Sequence, residues 1–131
     1  MSYQPNQKEL ESVASLLGPE RYRYLIVRIA DWEEVWSIRD TNGWALISSD
    51  PNTHLVPIWP AKDFAAACCL GEWENFEPQS ISLDKWIDKW LPGMAKDGRS
   101  IAVFPLPNDK GVIVSPERLG KDLAESLDQY E

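Results

Sequence analysis

Histidine is almost missing from this chain, with His54 the only one, and cysteine is confined to the adjacent pair Cys68–Cys69. These two scarcities exclude the usual zinc sites, which need about four His or Cys ligands at set spacings. They exclude a disulfide framework as well, because neighbouring helical residues cannot reach the separation and torsions of an S–S bond. Free thiols suit a reducing cytoplasm. Basic charge is also short. Lys and Arg number 13 against 21 Asp and Glu, a net charge of −8. Such a balance repels nucleic-acid phosphates and anionic membranes, so neither is expected as a partner. No apolar run approaches the ~20 residues of a membrane span, and no basic stretch leads into an apolar one at the N-terminus. A cytoplasmic location is therefore expected. Glycine patterns of the G-x-G-x-x-G and G-x-x-x-x-G-K types are lacking, as is the G-x-S-x-G nucleophile elbow. No nucleotide loop, cofactor or metal is expected from these signals.

What is present is an ordinary folding composition with an unusual aromatic load. The 131 residues are 44% hydrophobic and 26% charged, the size and balance of one globular domain over 1–131. Asn6 and Glu9 make a capping-box-like start to a first helix carrying Leu10, Val13, Ala14 and Leu17, which Gly18 can end. Pro19 opens a second helix, with Tyr22, Leu25, Ile26 and Ile29 on one face. "EVWSIRD" and "WALISS" flank Asn42-Gly43, the strongest short hairpin signal. In that hairpin Trp36 and Trp44 are expected to form a cross-strand pair. "LVPIW" reads as an edge strand, because Pro57 has no ladder donor.

Pro60 begins a helix through Cys68–Cys69 that stops at Gly71, followed by an acidic loop "EWENFEPQ" and a short "ISL". Leu83, Trp86, Ile87, Trp90, Leu91 and Met94 share a helical stripe, which Pro92 should end or kink. "SIAVFP" is apolar on both faces, as a central strand is, and "LPNDKG" turns into "VIVS". Ser115, Pro116 and Glu117 launch a last helix with Leu119, Leu123 and Leu127. The fold class is α+β: an antiparallel or mixed sheet of about five short strands, with helices mainly on one face.

A catalytic thiol needs a cation, a paired histidine or a helix N-terminus to lower its pKa. Cys68 and Cys69 stand near the C-terminal end of their helix, where the dipole opposes a thiolate, so Cys68 reads as core. Of the seven tryptophans, Trp86, Trp90, Trp36 and Trp44 fall on core-facing patterns, whereas Trp32, Trp59 and Trp73 stand at element boundaries beside charge or proline. Boundary tryptophans close the core edge or anchor a partner. The surface singled out is Trp59, Glu72, Trp73, Glu74 and Phe76, with Glu77 completing an acidic rim. The rival is a small-ligand or enzymatic pocket near His54, Trp59 and Asp63.

The blocks "RYRYLIVRIADWEEVWSI", "GWAL", "PIWPAKDFAAACCLGEWENFEP", "LDKWIDKWLPGMAKDG" and "AVFPLPNDKGVIVSPERL" together resemble a bacterial family catalogued as domain of unknown function 2750 (DUF2750). The resemblance runs from about Arg21 to Leu123 and leaves the helix within 1–18 outside it. It implies a stand-alone small bacterial cytoplasmic protein and assigns no catalytic or binding residue. Residues and resemblance together lead to a non-enzymatic protein-interaction module, of which an immunity or adaptor protein is one concrete form.

Overall fold

The computed structural model describes residues 6–16, 18–50, 53–106 and 111–128. The expected turn at "LPNDKG" lies largely outside them, as does the centre of "SDPNTH". Helix α1 (Gln7–Ala14) begins where Asn6 Oδ1 accepts the Glu9 N–H at 2.8 Å. The Glu9 carboxylate accepts the Tyr24 hydroxyl at 2.9 Å and lies 3.6 Å from Arg28, so it docks α1 on α2. Helix α2 spans Gly18–Trp32, so Gly18 opens the second helix rather than ending the first. From α2, the buried Arg21 donates to the Leu16 carbonyl at 2.6 Å, satisfying a group that the end of α1 leaves bare.

The class is α+β, and the strands divide over two sheets rather than one. The first has the order β2-β1-β5, formed by Gly43–Trp44, Glu34–Asp40 and Glu77–Ser82, all antiparallel. The second has the order β3-β4-β6-β7, formed by Ile47–Asp50, Thr53–Ile58, Ser100–Val103 and Val112–Val114, with β4 and β6 parallel. The hairpin exists, but its loop is Thr41-Asn42 and Asp40 pairs with Gly43. The Asp40 carboxylate accepts the Asn42 N–H at 2.8 Å, a local turn bond that moves the turn back by one residue. "WALISS" does not continue as one strand: it leaves the first sheet after Trp44 and joins the second at Ile47. Trp36 and Trp44 are consequently not cross-strand partners. Trp36 lies opposite Ser80, and Trp44 opposite Arg39.

Strand β4 is interior, not an edge. Proline is tolerated there because of where its missing donor falls. Its neighbour β3 ends at the Ile47–Leu55 pair, and β1 takes over at the Trp36–Trp59 bridge. Pro57 sits in the gap, where the buried Ser37 hydroxyl donates to its carbonyl at 2.7 Å. Strand β6 is central as expected, and Ile101, Ala102, Val103 and Phe104 are all fully buried.

Pro92 does not end its helix. The rod runs through α4 (Leu83–Lys85), a π turn (Trp86–Trp90) and α5 (Leu91–Asp97), with Leu91 N–H reaching back five residues to Trp86. The wider turn removes the α-helical carbonyl that a proline ring would strike. It also rotates the stripe: Trp86 and Leu91 are buried, whereas Ile87 is turned outward. Gly98, at φ 70°, closes the rod, with Arg99 N–H bonded to the Met94 carbonyl. Helix α6 (Pro116–Asp128) is capped by Ser115, whose hydroxyl accepts the Arg118 N–H at 3.1 Å. It packs on α2 and α5 and buries Leu119 and Leu123.

Two glycines in different settings test this packing. Gly111 has φ +83°, and an added Cβ would penetrate the Val103 carbonyl oxygen, so Gly111→Ala should lower stability by about 2 kcal/mol or more. Gly93, inside α5 with open space around it, should gain about 0.5–1 kcal/mol on substitution by alanine. Urea denaturation of the two variants beside wild type checks both signs.

Candidate functional site

The singled-out stretch is built outward from Trp59. That indole is fully buried, so it offers no surface to a partner, contrary to the expectation from sequence. It is buried because strand β4 runs on into the bridge with Trp36, with N–H···O bonds of 3.0 and 2.8 Å in both directions. Its Nε1 donates to the Pro105 carbonyl at 2.8 Å, and the Cys68 thiol donates to the same oxygen at 3.2 Å. Phe104 precedes that carbonyl in the left-handed region at φ 56°, a conformation costing roughly 1–2 kcal/mol for a residue with a side chain. Short helix α3 (Lys62–Ala67) carries Cys68 at its C-terminal end. Its first helical residue lies two positions after Pro60, with Ala61 as the N-cap.

On this base sits the outer layer. Trp73 stacks edge-on against Trp59, with ring centroids 6.3 Å apart and planes at 88°. It belongs to a single 3-10 turn (Gly71–Trp73), secured by Trp73 N–H to Leu70 O at 3.0 Å and Phe76 N–H to Trp73 O at 3.0 Å. Gly71, at φ 57°, makes the reversal that starts the turn. Trp73 and Phe76 are half-buried against the core, and Glu72 and Glu74 are exposed. The expected loop is shorter than "EWENFEPQ", because Glu77 already belongs to β5 and pairs with Arg39. Sequence reasoning missed Leu70. At 63% exposure it is the most exposed large hydrophobic residue described, and its position between a helix end and a glycine was the available signal. The turn thus brings together in sequence an exposed Leu70, the half-buried Trp73 and Phe76, and the exposed Glu72, Glu74 and Glu77.

The residues of the alternative pocket do not converge. His54 and Trp59 lie on one extended run five residues apart, hence on opposite faces and about 16 Å from each other. The His54 Nδ1 sits 3.3 Å from the Ser48 hydroxyl across β3 and β4, and Asp63 is exposed in the first turn of α3. Two surface cavities of about 550 and 690 Å³ flank α2, and none of the three residues lines either. Among the described residues, no group of three or more His, Cys, Asp or Glu could hold a metal ion. No helix described is long and apolar enough to cross a membrane.

Fold and surface together define a small α+β domain with a pinned aromatic patch rimmed by carboxylates. Neither the curated proteins nor the solved structures contain a match to this chain. A family model described as "Protein of unknown function (DUF2750)" matches residues 22–123, and the chain belongs to that family. The match begins after α1 and ends within α6.

Both thiols are held protonated. Burial pushes Cys68 from its ordinary 9.0 up to about 11, with the neighbouring Cys69 adding to the rise and the Trp59 hydrogen bond opposing it. Burial also raises Cys69, assisted by the Glu77 carboxylate. A thiol whose folded pKa lies above its unfolded one stabilises the fold fully below the unfolded value. That contribution is lost as pH rises through the folded value. Wild-type stability should therefore fall between pH 9 and 11 more steeply than that of Cys68→Ala, by denaturation at both ends of the window. Equal slopes would show that Cys68 does not titrate late.

Proposed function

We propose that this protein is a protein-interaction module that docks a basic partner through Leu70, Trp73 and Phe76, with Glu72, Glu74 and Glu77 as the steering rim. The observation that carries this reading is Leu70. Leu70 is 63% exposed and lies in the same turn as two half-buried aromatics, Trp73 and Phe76, so apolar groups of three residues reach the surface within seven positions. Trp73 supplies a rigid anchor of the type that dominates interface energetics, and its base, Trp59, is immobilised in the core. The net charge of −8 and the three rim carboxylates favour fast encounter with a positively charged surface. The chemistry on this face is adhesive: its acids surround apolar groups, and the thiols behind them are protonated.

A photo-crosslinking residue at position 70, with Lys96 as the control position, tests the assignment in lysate of the source cell. One discrete adduct with a basic protein at position 70 is expected. It should be lost with Glu72→Lys/Glu74→Lys and should weaken as salt rises. Trp73→Ala should weaken that complex by about 2 kcal/mol. Identical adducts at both positions, or adducts indifferent to the charge reversals, would contradict the proposal.

A further inference from the structure

A second surface, sharing no residue with the first, lies along α2. Pro19, Arg23 and Val27 stand four residues apart and line both cavities, so they form a ridge with a groove on either side. Ridges of this i, i+4, i+8 type are the elements that interlock when two helices cross at about −50°. The larger groove, about 690 Å³, runs between α2 and α6, with Ile26, Val27 and Val112 as its apolar part. Val27 is 39% exposed there. Tyr22, Asp122 and Arg118 stiffen one wall. The Tyr22 hydroxyl donates to Asp122 at 2.5 Å, Arg118 lies 3.7 Å from the same carboxylate, and its guanidinium sits over the Tyr22 ring at 5.6 Å.

Charge identifies the occupant. The two grooves together are lined by Arg23, Arg28 and Arg118 and by Glu20, Asp122 and Glu125, three of each sign, in a chain with 13 cations and 21 anions. Arg28 is engaged by Glu9 and Asp31, and Arg118 by Asp122. Arg23, Glu125 and Glu20 have no ion pair among the described residues, and of these Glu20 lines only the smaller groove. Within the larger groove the spare charges are one cation, Arg23 on the ridge, and one anion, Glu125 on the facing wall, so that ridge and groove are complementary to themselves. This is the requirement of a two-fold interface, in which residue i of one copy meets residue j of the other and the reverse. Two chains of charge −8 repel, and a strip with equal numbers of cations and anions is where contact adds least to that repulsion.

From these observations we infer that the α2–α6 groove is a homodimer interface, with the Pro19–Arg23–Val27 ridge of each copy seated in the other's groove and Arg23 paired with Glu125 of the partner subunit. Sedimentation equilibrium of the full chain, over a wide concentration range, tests it. Wild type should form a dimer. Val27→Asp, a change at an exposed position, should give a folded monomer by circular dichroism. Arg23→Glu should raise the dissociation constant about tenfold, and adding Glu125→Arg should restore it. A wild type that stays monomeric overturns the inference. So does a dimer indifferent to Val27→Asp and Arg23→Glu, since it would use another face. Neither result bears on the Leu70 surface, whose crosslinking test stands apart.

Discussion

One carbonyl oxygen holds the parts of this domain in place. Pro105 O accepts both the Trp59 indole and the Cys68 thiol in a site closed to water. The Trp59 backbone meanwhile exchanges hydrogen bonds with Trp36 and joins the two sheets. A buried carbonyl without partners carries a desolvation cost of about 1–3 kcal/mol, so two donors converging on it stabilise the only geometry that satisfies all three groups. Phe104 accepts a left-handed backbone to aim that oxygen, and Gly111 gives the passing chain room beside Val103. Strain at one residue is offset by the fit of its neighbours.

The outer surface inherits its rigidity from that arrangement. Trp73 is a half-exposed ring resting edge-on against a ring that cannot move, and the 3-10 turn carrying it is closed by its own backbone bonds. Preorganisation of this sort lowers the ordering cost of association, which is why aromatic anchors on fixed platforms bind well for their area. Thiol chemistry is suppressed by the same burial, so Cys68 serves as a small hydrophobe with one useful donor.

How much of this the sequence disclosed depends on whether the controlling interaction was local. Helix starts at Asn6 and Ser115, the central strand "SIAVFP" and the burial of Cys68 follow from caps and patterning within a few residues. The helix past Pro92 does not, because a π turn lengthened the rod by the one residue that proline required. Pro57 misled for a comparable reason. Its lost donor faces a gap between β3 and β1 that exists only once both sheets are assembled. Trp59 carries the same boundary signature as Trp73, with charge or proline beside it, yet one is core and the other surface. What separates them is a carbonyl 46 residues away. Leu70 was legible as a residue but not as an exposure. The mixed charges along α2 become a strip only when α6 is laid beside it.

Hydrogen exchange at the Trp59 indole N–H measures this account most directly. If the Pro105 bond and the Trp36 bridge open only when the whole domain unfolds, that proton should exchange at the global unfolding rate, together with the Trp36 and Trp59 amides. Rapid exchange of the indole while those amides stay protected would contradict the account. It would mean the Trp59 base is not fixed, and that the surface above it has no rigid support.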